Sequence, residues 1–326
     1  MIMKIIVIGA GSWGLTLAHI FSFNNEVTVW TLNQHIASEL TQKRSDPRLP
    51  CLKINQSIAF HPMYSTEFDN TALFIMVAPS NVVEEICLEL KNHIDQPNIL
   101  CASKGFDHRK FCTMSQLIQS IFPKSNVAVL TGPTIAKEVA AGKPTKAILA
   151  SNKVWFLTEI AKALENDYVK FELDTDIVGH ELCACLKGII AIGTGIADGL
   201  GLGKNMQGII MTYGLKEFVE IAEFLGASSK TIYGLAGMSD LITTCISTDS
   251  RNRKLGFLLG QNLKLEDALE EVGMVVEGLN MQKTIYKLER VNIDIPIISA
   301  INKIIFNPPD NIYDFFLSTL LNTKKK

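Results

Sequence analysis

The sequence predicts an α/β protein, with a doubly wound parallel sheet in its N-terminal half and an all-helical domain in its C-terminal half. Short runs that are apolar throughout alternate with helical patterns over the first half, as in sheets that helices cover on both faces. From about Asp176 onward the patterns are mostly helical. At about 150 residues per domain, the 326 residues also fit two domains.

The predicted elements follow in that order. Strands are expected at 3–8, 26–30, 72–77, 98–102 and 126–130, with helices at 14–23, 34–42 and 82–91. Helical patterns of the second half cover 181–197, 209–225, 265–272 and 280–290. Since no linker rich in Pro, Gly and Ser separates the two patterns, we place the boundary between Ala150 and Asp176 and expect domains at 1–175 and 176–326.

Composition and charge exclude several classes of protein. Hydrophobic residues make up 47% of the chain and charged residues 20%, which is typical of a globular protein. The 31 Lys and Arg nearly balance the 33 Asp and Glu, so nothing favours a nucleic-acid or membrane partner. Seven scattered cysteines without a Cys-x-x-Cys pair indicate reduced thiols and no metal site. The apolar stretch 188–197 is shorter than the roughly 20 residues of a membrane span, so we expect a cytoplasmic protein.

Gly9, Gly11 and Gly14 form a G-x-G-x-x-G turn directly after the first strand. In a Rossmann-like unit the first glycine makes the tight turn, the second lets the backbone approach a pyrophosphate, and the third lets the helix pack on the strand. The free N–H groups at the start of the new helix favour phosphate binding. The pattern therefore predicts a dinucleotide site, with a glycine-rich turn that binds nothing as the alternative.

The end of the second strand leaves the type of dinucleotide open. An NAD-specific fold offers an Asp or Glu to the ribose there, and an Arg would accept a 2′-phosphate. The segment Trp30-Thr31-Leu32-Asn33 holds neither. Nicotinamide and flavin dinucleotides, with or without the extra phosphate, all remain candidates.

Two segments follow predicted strands at the edge where ligands of open α/β sheets bind. Lys104 comes just after strand 98–102, and Gly132-Pro133-Thr134 comes just after strand 126–130. The alternatives are an exposed lysine at a strand end and an ordinary turn in which the threonine caps a helix.

Lys187 is the only charged residue from 182 to 197. A charged amine on an apolar helix is costly unless it is paired or its pKa falls, and lysines of lowered pKa serve as general acids or bases. The alternative is that its amine reaches solvent. Asp240 is a candidate partner for it. Ser250-Arg251-Asn252 could grip a phosphate, or belong to a basic surface cluster with Arg253 and Lys254.

These segments together resemble the bacterial NAD(P)-dependent glycerol-3-phosphate dehydrogenase family. The resemblance implies a two-domain enzyme that interconverts dihydroxyacetone phosphate and sn-glycerol 3-phosphate with NAD(P)H and feeds glycerophospholipid biosynthesis. It also implies a homodimer. The matching segments keep the family's order and spacing over essentially the whole chain, and they are Gly9-Ala10-Gly11-Ser12-Trp13-Gly14, Ser103-Lys104-Gly105, Gly132-Pro133-Thr134, Lys187, Asp240, Ser250-Arg251-Asn252-Arg253 and Val275-Val276-Glu277-Gly278.

The resemblance also implies residue roles, with Lys187 as the catalytic proton donor and acceptor. The residues it implies for the substrate are Lys104, Gly132, Thr134, Lys187, Asp240, Ser250, Arg251 and Asn252. The residues expected to bind the cofactor, from the turn and from the resemblance, are Gly9, Gly11, Ser12, Trp13, Gly14, Lys104, Ala136, Arg251, Val275 and Glu277.

The sequence departs from the family pattern in several segments. Gly188 stands where the family usually has an Asn that helps to hold the substrate, the family's Gly-Leu-Gly-Asp reads Gly237-Met238-Ser239-Asp240, and Tyr213 replaces an Arg. Two other functions stay open at this point. One is another dehydrogenase of the same architecture, of the 6-phosphogluconate or ketopantoate type, and the other is a non-catalytic dinucleotide sensor.

Overall fold

The computed structural model describes residues 2–65 and 68–323. The chain forms two compact units. Unit 1 comprises Met1–Asp107 and Cys112–Ile177, and unit 2 comprises His108–Phe111 and Val178–Lys326.

Unit 1 is built on an eight-stranded sheet in the order β10-β9-β8-β5-β4-β1-β2-β3. A separate two-stranded ribbon, β6-β7, comes between β5 and β8 in the chain. The strands are β1 (Lys4–Ile8), β2 (Glu26–Thr31), β3 (Ala59–Pro62), β4 (Leu73–Met76), β5 (Asn98–Cys101), β6 (Phe106–Asp107), β7 (Cys112–Thr113), β8 (Asn126–Thr131), β9 (Thr145–Ala150) and β10 (Val169–Asp174). The helices are α1 (Ser12–Phe21), α2 (Gln34–Lys43), α3 (Val83–Lys91), α4 (Met114–Ile121), α5 (Ala136–Ala140) and α6 (Val154–Leu164).

The central strands are parallel and buried, as the continuous apolar runs predict. In β1, four of the five residues are buried, and its register pairs Ile8 with Trp30 on one side and with Met76 on the other. Because the side chains of a strand point alternately to both faces, such burial requires helices above and below the sheet. Because these strands are parallel, the carboxyl ends of β1, β4 and β5 lie at the same edge of the sheet.

One edge of the sheet differs from the all-parallel arrangement that the sequence predicts. β9 pairs antiparallel with β8, in a register that places Val129 opposite Ala150, and β10 pairs parallel with β9. Only the five-residue helix α5 lies between β8 and β9. A parallel return needs a longer crossover, usually a full helix, so the chain turns back antiparallel here.

Unit 2 is helical. Its helices are α7 (Ile177–Gly199), α8 (Gly203–Phe224), α9 (Ser229–Ile232), α10 (Asp240–Ile246), α11 (Arg251–Gly260), α12 (Leu265–Val272), α13 (Gln282–Arg290), α14 (Pro296–Phe306) and α15 (Ile312–Asn322). A π-helical turn covers Leu235–Ser239 and a 3-10 turn covers Glu277–Met281. The break between α7 and α8 falls in the glycine-rich segment 199–203, where Gly201 and Gly203 adopt positive φ.

Helix α7 is the centre of unit 2. The helix has 23 residues and a mean hydropathy of 1.5 over its most apolar window, so by length and composition it could span a membrane. The stretch 188–197, which the sequence singles out as apolar, is by itself too short for a membrane span. In the structure 89% of the most apolar window is buried. Packing inside the protein therefore accounts for its composition.

Helices α7 and α11 meet backbone to backbone through glycines. A Cβ added to Gly195 would overlap the carbonyl oxygen of Arg253, and one added to Gly256 would overlap that of Ile192. Gly199 and Gly260 approach each other in the same way, so that a Cβ on either would lie 3.0 Å from the Cα of the other. Small residues at this crossing let the two helices lie closer together than larger side chains would allow.

Candidate active site

The glycine turn of unit 1 has the form that a dinucleotide site requires. Gly9 has a φ of +120°, which favours glycine, and a Cβ on Gly14 would overlap the Gly9 carbonyl oxygen. These two glycines serve the fold itself. Gly11 has an ordinary φ of −73°, and a Cβ there would meet no atom of the described residues within 4 Å. The space beside Gly11 is open, as the approach of a pyrophosphate demands.

The first turn of α1 follows directly, beginning with Ser12 and Trp13. Its N-cap is Gly11, which has no side chain to satisfy the first N–H groups of the helix. Those N–H groups and the helix dipole together favour an anion. The turn and the helix start therefore fit a bound dinucleotide.

Other predicted residues of unit 1 lie at the ends of β5 and β8. Lys104 follows β5, where the Ser103 hydroxyl donates to the Ala78 carbonyl oxygen at 2.6 Å and fixes the start of the loop. Gly132 follows β8 with a φ of +114°, and the Thr134 hydroxyl donates back to the Gly132 carbonyl oxygen at 3.2 Å. Both segments thus leave the carboxyl edge of the sheet, where ligands of this fold bind.

Ala136 is held next to the glycine turn. It begins α5, and its carbonyl oxygen accepts a hydrogen bond from the Thr16 hydroxyl of α1 at 3.3 Å. The same hydroxyl donates to the Ser12 carbonyl oxygen at 2.8 Å. Unit 1 therefore brings two of the predicted cofactor residues, Ser12 and Ala136, to one threonine.

Lys187 and Asp240 form a buried ion pair in unit 2. Lys187 is 8% exposed and Asp240 is 2% exposed, and the Lys187 Nζ donates to the Asp240 Oδ2. The alternative that the amine reaches bulk solvent is therefore wrong, and the predicted pairing is present. The Thr244 hydroxyl donates to the Asp240 carbonyl oxygen at 2.7 Å, one turn along α10.

The substrate motif at the start of α11 lies against the same helix as Lys187. The Asn252 Oδ1 accepts the Gly278 N–H at 3.0 Å, so the loop before α13 is tied to α11. A Cβ on Gly188 would come within 2.9 Å of the Gly278 Cα and 3.4 Å of the Asn252 Nδ2. Gly188, one of the departures from the family pattern, thus leaves room for the backbone of this loop.

The other residues of unit 2 that the sequence singles out lie on α11, at the start of the 3-10 turn and on α8. Ser250 caps α11 by accepting the Arg253 N–H on its hydroxyl at 3.3 Å, and Arg251 is the half-buried first residue of the helix. Val275 is exposed and Glu277 is half-buried at the start of the 3-10 turn. Tyr213 lies in α8 with the Lys216 Nζ 5.1 Å from its ring centroid.

Two supporting groups in unit 2 are missed by sequence reasoning. Asp198, at the end of α7, accepts a hydrogen bond from the Arg253 guanidinium and another from the Gln207 amide at 2.9 Å. Cys245 is 3% exposed beside Lys187 and Arg253, and burial raises the pKa of its thiol to about 12. The only signal for Asp198 is that it interrupts an apolar helix, while Cys245 carries none.

Arg48 is missed in unit 1. The segment Trp30-Thr31-Leu32-Asn33 at the end of the second strand holds no arginine, but a residue further along the chain reaches the glycine turn. The Arg48 Nη2 donates to the Ala10 carbonyl oxygen at 2.8 Å, although 38 residues separate the two in the chain. No local pattern connects residues so far apart.

Comparison with known proteins shows the family to which the chain is similar. Models of the N-terminal and C-terminal parts of NAD-dependent glycerol-3-phosphate dehydrogenase match residues 4–156 and 176–312. The glycerol-3-phosphate dehydrogenase (NAD(P)+) of Thermoanaerobacter sp. (strain X514) is 37% identical over 317 residues, which cover 95% of this chain and 96% of that protein. The protein of the same name from Clostridium tetani is 33% identical, over 96% of this chain and 90% of that one.

A solved structure shares the same architecture. The crystal structure of glycerol-3-phosphate dehydrogenase from Coxiella burnetii has a TM-score of 0.90 to this chain at 28% identity, and the match covers 98% of each chain. The similarity therefore extends through both units of the protein.

Proposed function

The chain belongs to the NAD-dependent glycerol-3-phosphate dehydrogenase family, and on that premise we propose that it interconverts dihydroxyacetone phosphate and sn-glycerol 3-phosphate with NAD(P)H. The observation that carries the proposal is the buried Lys187–Asp240 pair. A lysine that is 8% exposed on an otherwise apolar stretch has a structural cost, and proton transfer gives it a reason to be there. A non-catalytic sensor has no need of such a group.

Lys187 holds the proton of the reaction. In the reducing direction its ammonium donates a proton to the oxygen of the substrate carbonyl, and in the oxidising direction its amine takes the proton from the hydroxyl. The Asp240 carboxylate positions the Lys187 Nζ and balances its charge. A bound nicotinamide supplies the two electrons of the reduction as a hydride equivalent, or accepts them in the reverse direction.

The phosphate of the substrate is assigned to the start of α11. Arg251 offers a guanidinium, and Ser250 and Asn252 add polar groups beside it. Asn252 also holds Gly278, so binding at this motif is linked to the order of the 273–278 loop. From unit 1, the resemblance adds Lys104, Gly132 and Thr134 for the substrate. It assigns Gly9, Gly11, Ser12, Trp13, Gly14, Lys104, Ala136, Arg251, Val275 and Glu277 to the cofactor.

The cellular setting follows from the same family. We propose that the protein works in the cytoplasm as a homodimer and supplies sn-glycerol 3-phosphate for glycerophospholipids. Size-exclusion chromatography with light scattering tests the dimer, and a monomer at working concentration would refute it.

The proposed reaction is tested by mixing the purified protein with dihydroxyacetone phosphate and NADPH or NADH and following the absorbance of the reduced cofactor. Lys187→Ala should lower kcat by about 10²–10⁴, because a positioned proton donor contributes that much. The exposed Lys230→Ala, also in unit 2, is the matched control and should keep its activity.

Three outcomes would contradict the proposal. Equal kcat in Lys187→Ala and the unaltered protein would remove the lysine from the chemistry. Turnover of ketopantoate or 6-phosphogluconate in place of dihydroxyacetone phosphate would assign another dehydrogenase activity. Binding of the cofactor without turnover of any of these substrates would indicate a sensor.

A further inference from the structure

The glycine turn of unit 1 lies beside the end of β2. The Gly9 N–H donates to the Trp30 carbonyl oxygen at 3.1 Å, so the next residue, Ala10, is close to the end of that strand. In this fold the adenosine ribose of the dinucleotide lies at the end of the second strand. A group fixed on Ala10 is therefore at the ribose end of the cofactor site.

Arg48 is such a group. Its Nη2 donates to the Ala10 carbonyl oxygen at 2.8 Å and to the Asp46 Oδ2 at 2.7 Å, while its Nε donates to the Asp46 Oδ1 at 2.8 Å. These three bonds hold the guanidinium in one orientation. Its Nη1 has no hydrogen-bond partner among residues 2–65 and 68–323, and the side chain is 44% exposed. Two N–H donors of a positive group are thus available at the turn.

The Asp46 carboxylate is not available in the same way. Both of its oxygens accept bonds from Arg48, Oδ1 also accepts the Arg48 N–H at 2.8 Å, and the side chain is 9% exposed. Burial alone would raise the pKa of Asp46, but the hydrogen bonds and charge of Arg48 outweigh it and hold the pKa below its usual value. A carboxylate that already accepts three bonds from Arg48 and is mostly buried is poorly placed to receive ribose hydroxyls, so the exposed guanidinium is the group that a ligand meets.

The loop that carries Arg48 is anchored on both sides. The Asn55 N–H donates to the His19 Nδ1 of α1 at 3.2 Å, and the Arg44 Nη1 donates to the Ile58 carbonyl oxygen at 2.7 Å. Leu49 and Leu52, next to Arg48 in the chain, are buried in the core of unit 1. Arg48 therefore does not have to be ordered when a ligand arrives, which lowers the cost of binding.

We propose that Arg48 binds the 2′-phosphate of NADP(H) and gives this chain its preference for NADPH over NADH. The proposal rests on the dinucleotide site of the proposed function, and it adds the choice between the two nicotinamide cofactors. A guanidinium suits a phosphate because its planar N–H groups match the phosphate oxygens.

Binding without turnover tests the proposal. Isothermal titration should give a lower Kd for NADPH than for NADH with the unaltered protein. In Arg48→Ala the Kd for NADPH should rise about 10-fold or more, as expected for lost hydrogen bonds to a charged group, while the Kd for NADH changes less than about twofold. Lys53→Ala removes an exposed positive charge from the same loop and should change neither Kd.

A second ligand pair separates the 2′-phosphate from the pyrophosphate. Adenosine 2′,5′-bisphosphate carries the former without the latter, and it should bind more tightly than 5′-AMP only while Arg48 is present. Arg48→Lys keeps the charge and should retain part of the preference, which guards against a folding defect in the alanine variant.

Equal weakening of NADPH and NADH in Arg48→Ala would overturn the proposal and assign Arg48 to the pyrophosphate. Unaltered protein that prefers NADH would also overturn it. A protein that prefers NADPH in titration but does not reduce dihydroxyacetone phosphate would leave the role of Arg48 standing and refute the proposed reaction.

Discussion

Gly11 and Gly14 stand three residues apart in one turn, yet they are glycines for different reasons. Gly14→Ala places a Cβ on the Gly9 carbonyl oxygen, so we expect it to lower the free energy of unfolding by about 1–3 kcal/mol. Gly11→Ala meets no described atom within 4 Å, so stability should hold while the Kd for NADPH rises.

Urea unfolding and isothermal titration of both variants check this prediction. Gly11→Ala serves as the control for the stability of Gly14→Ala, since both add one methyl group to the same turn. A Gly11→Ala protein that is destabilised as much as Gly14→Ala, or that binds NADPH normally, would contradict the assignment.

The Lys187–Asp240 pair also has a structural cost that mutagenesis can separate from its chemistry. Asp240→Asn leaves a buried ammonium without its carboxylate, so we expect a loss of about 3 kcal/mol or more in the free energy of unfolding. The double variant Lys187→Met with Asp240→Leu removes both charges and should recover most of that stability, but no turnover. Denaturant unfolding with a turnover assay measures both, and activity in the double variant would refute the catalytic role.

Lys187 could be found from the sequence because a single charge in an apolar helical run is itself a signal, and Asp240 follows as its candidate partner. Arg48 could not be found in that way. Its partner at the turn is a backbone carbonyl, and a backbone group leaves no trace in the residue types of the segment. Sequence patterns thus reveal side chains that violate their local environment, while contacts made by the tertiary fold remain hidden.

At the scale of elements, the glycine contact between α7 and α11 sets the distance between Lys187 and the phosphate motif. Gly256→Ala would place a Cβ on the Ile192 carbonyl oxygen and should cost about 2 kcal/mol or more, with a rise in KM for dihydroxyacetone phosphate as α11 shifts. Gly208→Ala in α8 is the control, because a Cβ there meets no described atom within 4 Å.

Thermal unfolding and steady-state kinetics measure the two effects. Gly208→Ala should be neutral or stabilising by up to about 1 kcal/mol, since alanine is the better helix former. If Gly256→Ala behaves like Gly208→Ala, the close approach of the two helices does not matter for stability.

The predicted strands and helices agree with the structure where an element is apolar throughout or strongly periodic. β1, β2, β4, β5 and β8 lie within two residues of their predicted bounds. β9 and β10 are not predicted: the buried apolar run of β9 covers only its last four residues, 147–150, and β10 (Val169–Asp174) is an edge strand that mixes polar with apolar residues. An edge strand with one exposed side looks like a loop in a pattern search.

At the scale of the whole molecule, the two units should respond to pH in opposite directions. In unit 1, burial lowers the pKa of His19, whose Nδ1 accepts the Asn55 N–H. Below about pH 6.5 the unfolded chain therefore takes up a proton that the folded unit does not, and unit 1 loses stability as the pH falls.

In unit 2, burial raises the pKa of Glu217 to about 8, although the N–H groups of Ile297 and Ile298 donate to it at 2.7 and 2.8 Å. Between its ordinary pKa of 4.5 and about 8 the folded unit holds a proton that the unfolded chain has lost. Stability of unit 2 should therefore fall as the pH rises through this window, by up to about 1.4 kcal/mol per pH unit.

Hydrogen–deuterium exchange at about pH 5.5 and pH 7.5, corrected for the intrinsic rates, resolves the two units. Peptides from α1 should gain protection at the higher pH and peptides from α14 should lose it. Glu217→Gln should remove the effect in α14 and leave α1 unchanged. A shift of both peptides in the same direction in the unaltered protein would contradict the prediction.

Helix α7 has a consequence for how the protein is made. While the chain leaves the ribosome, this apolar segment of 23 residues emerges before helices α8 to α15 have been made and can cover it. Nascent chains stalled at that point are therefore expected to bind chaperones or aggregate. Refolding from denaturant should yield a smaller soluble fraction as the protein concentration increases. Because the helix that carries Lys187 is covered only in the finished protein, the partly synthesised chain is the form most prone to aggregation.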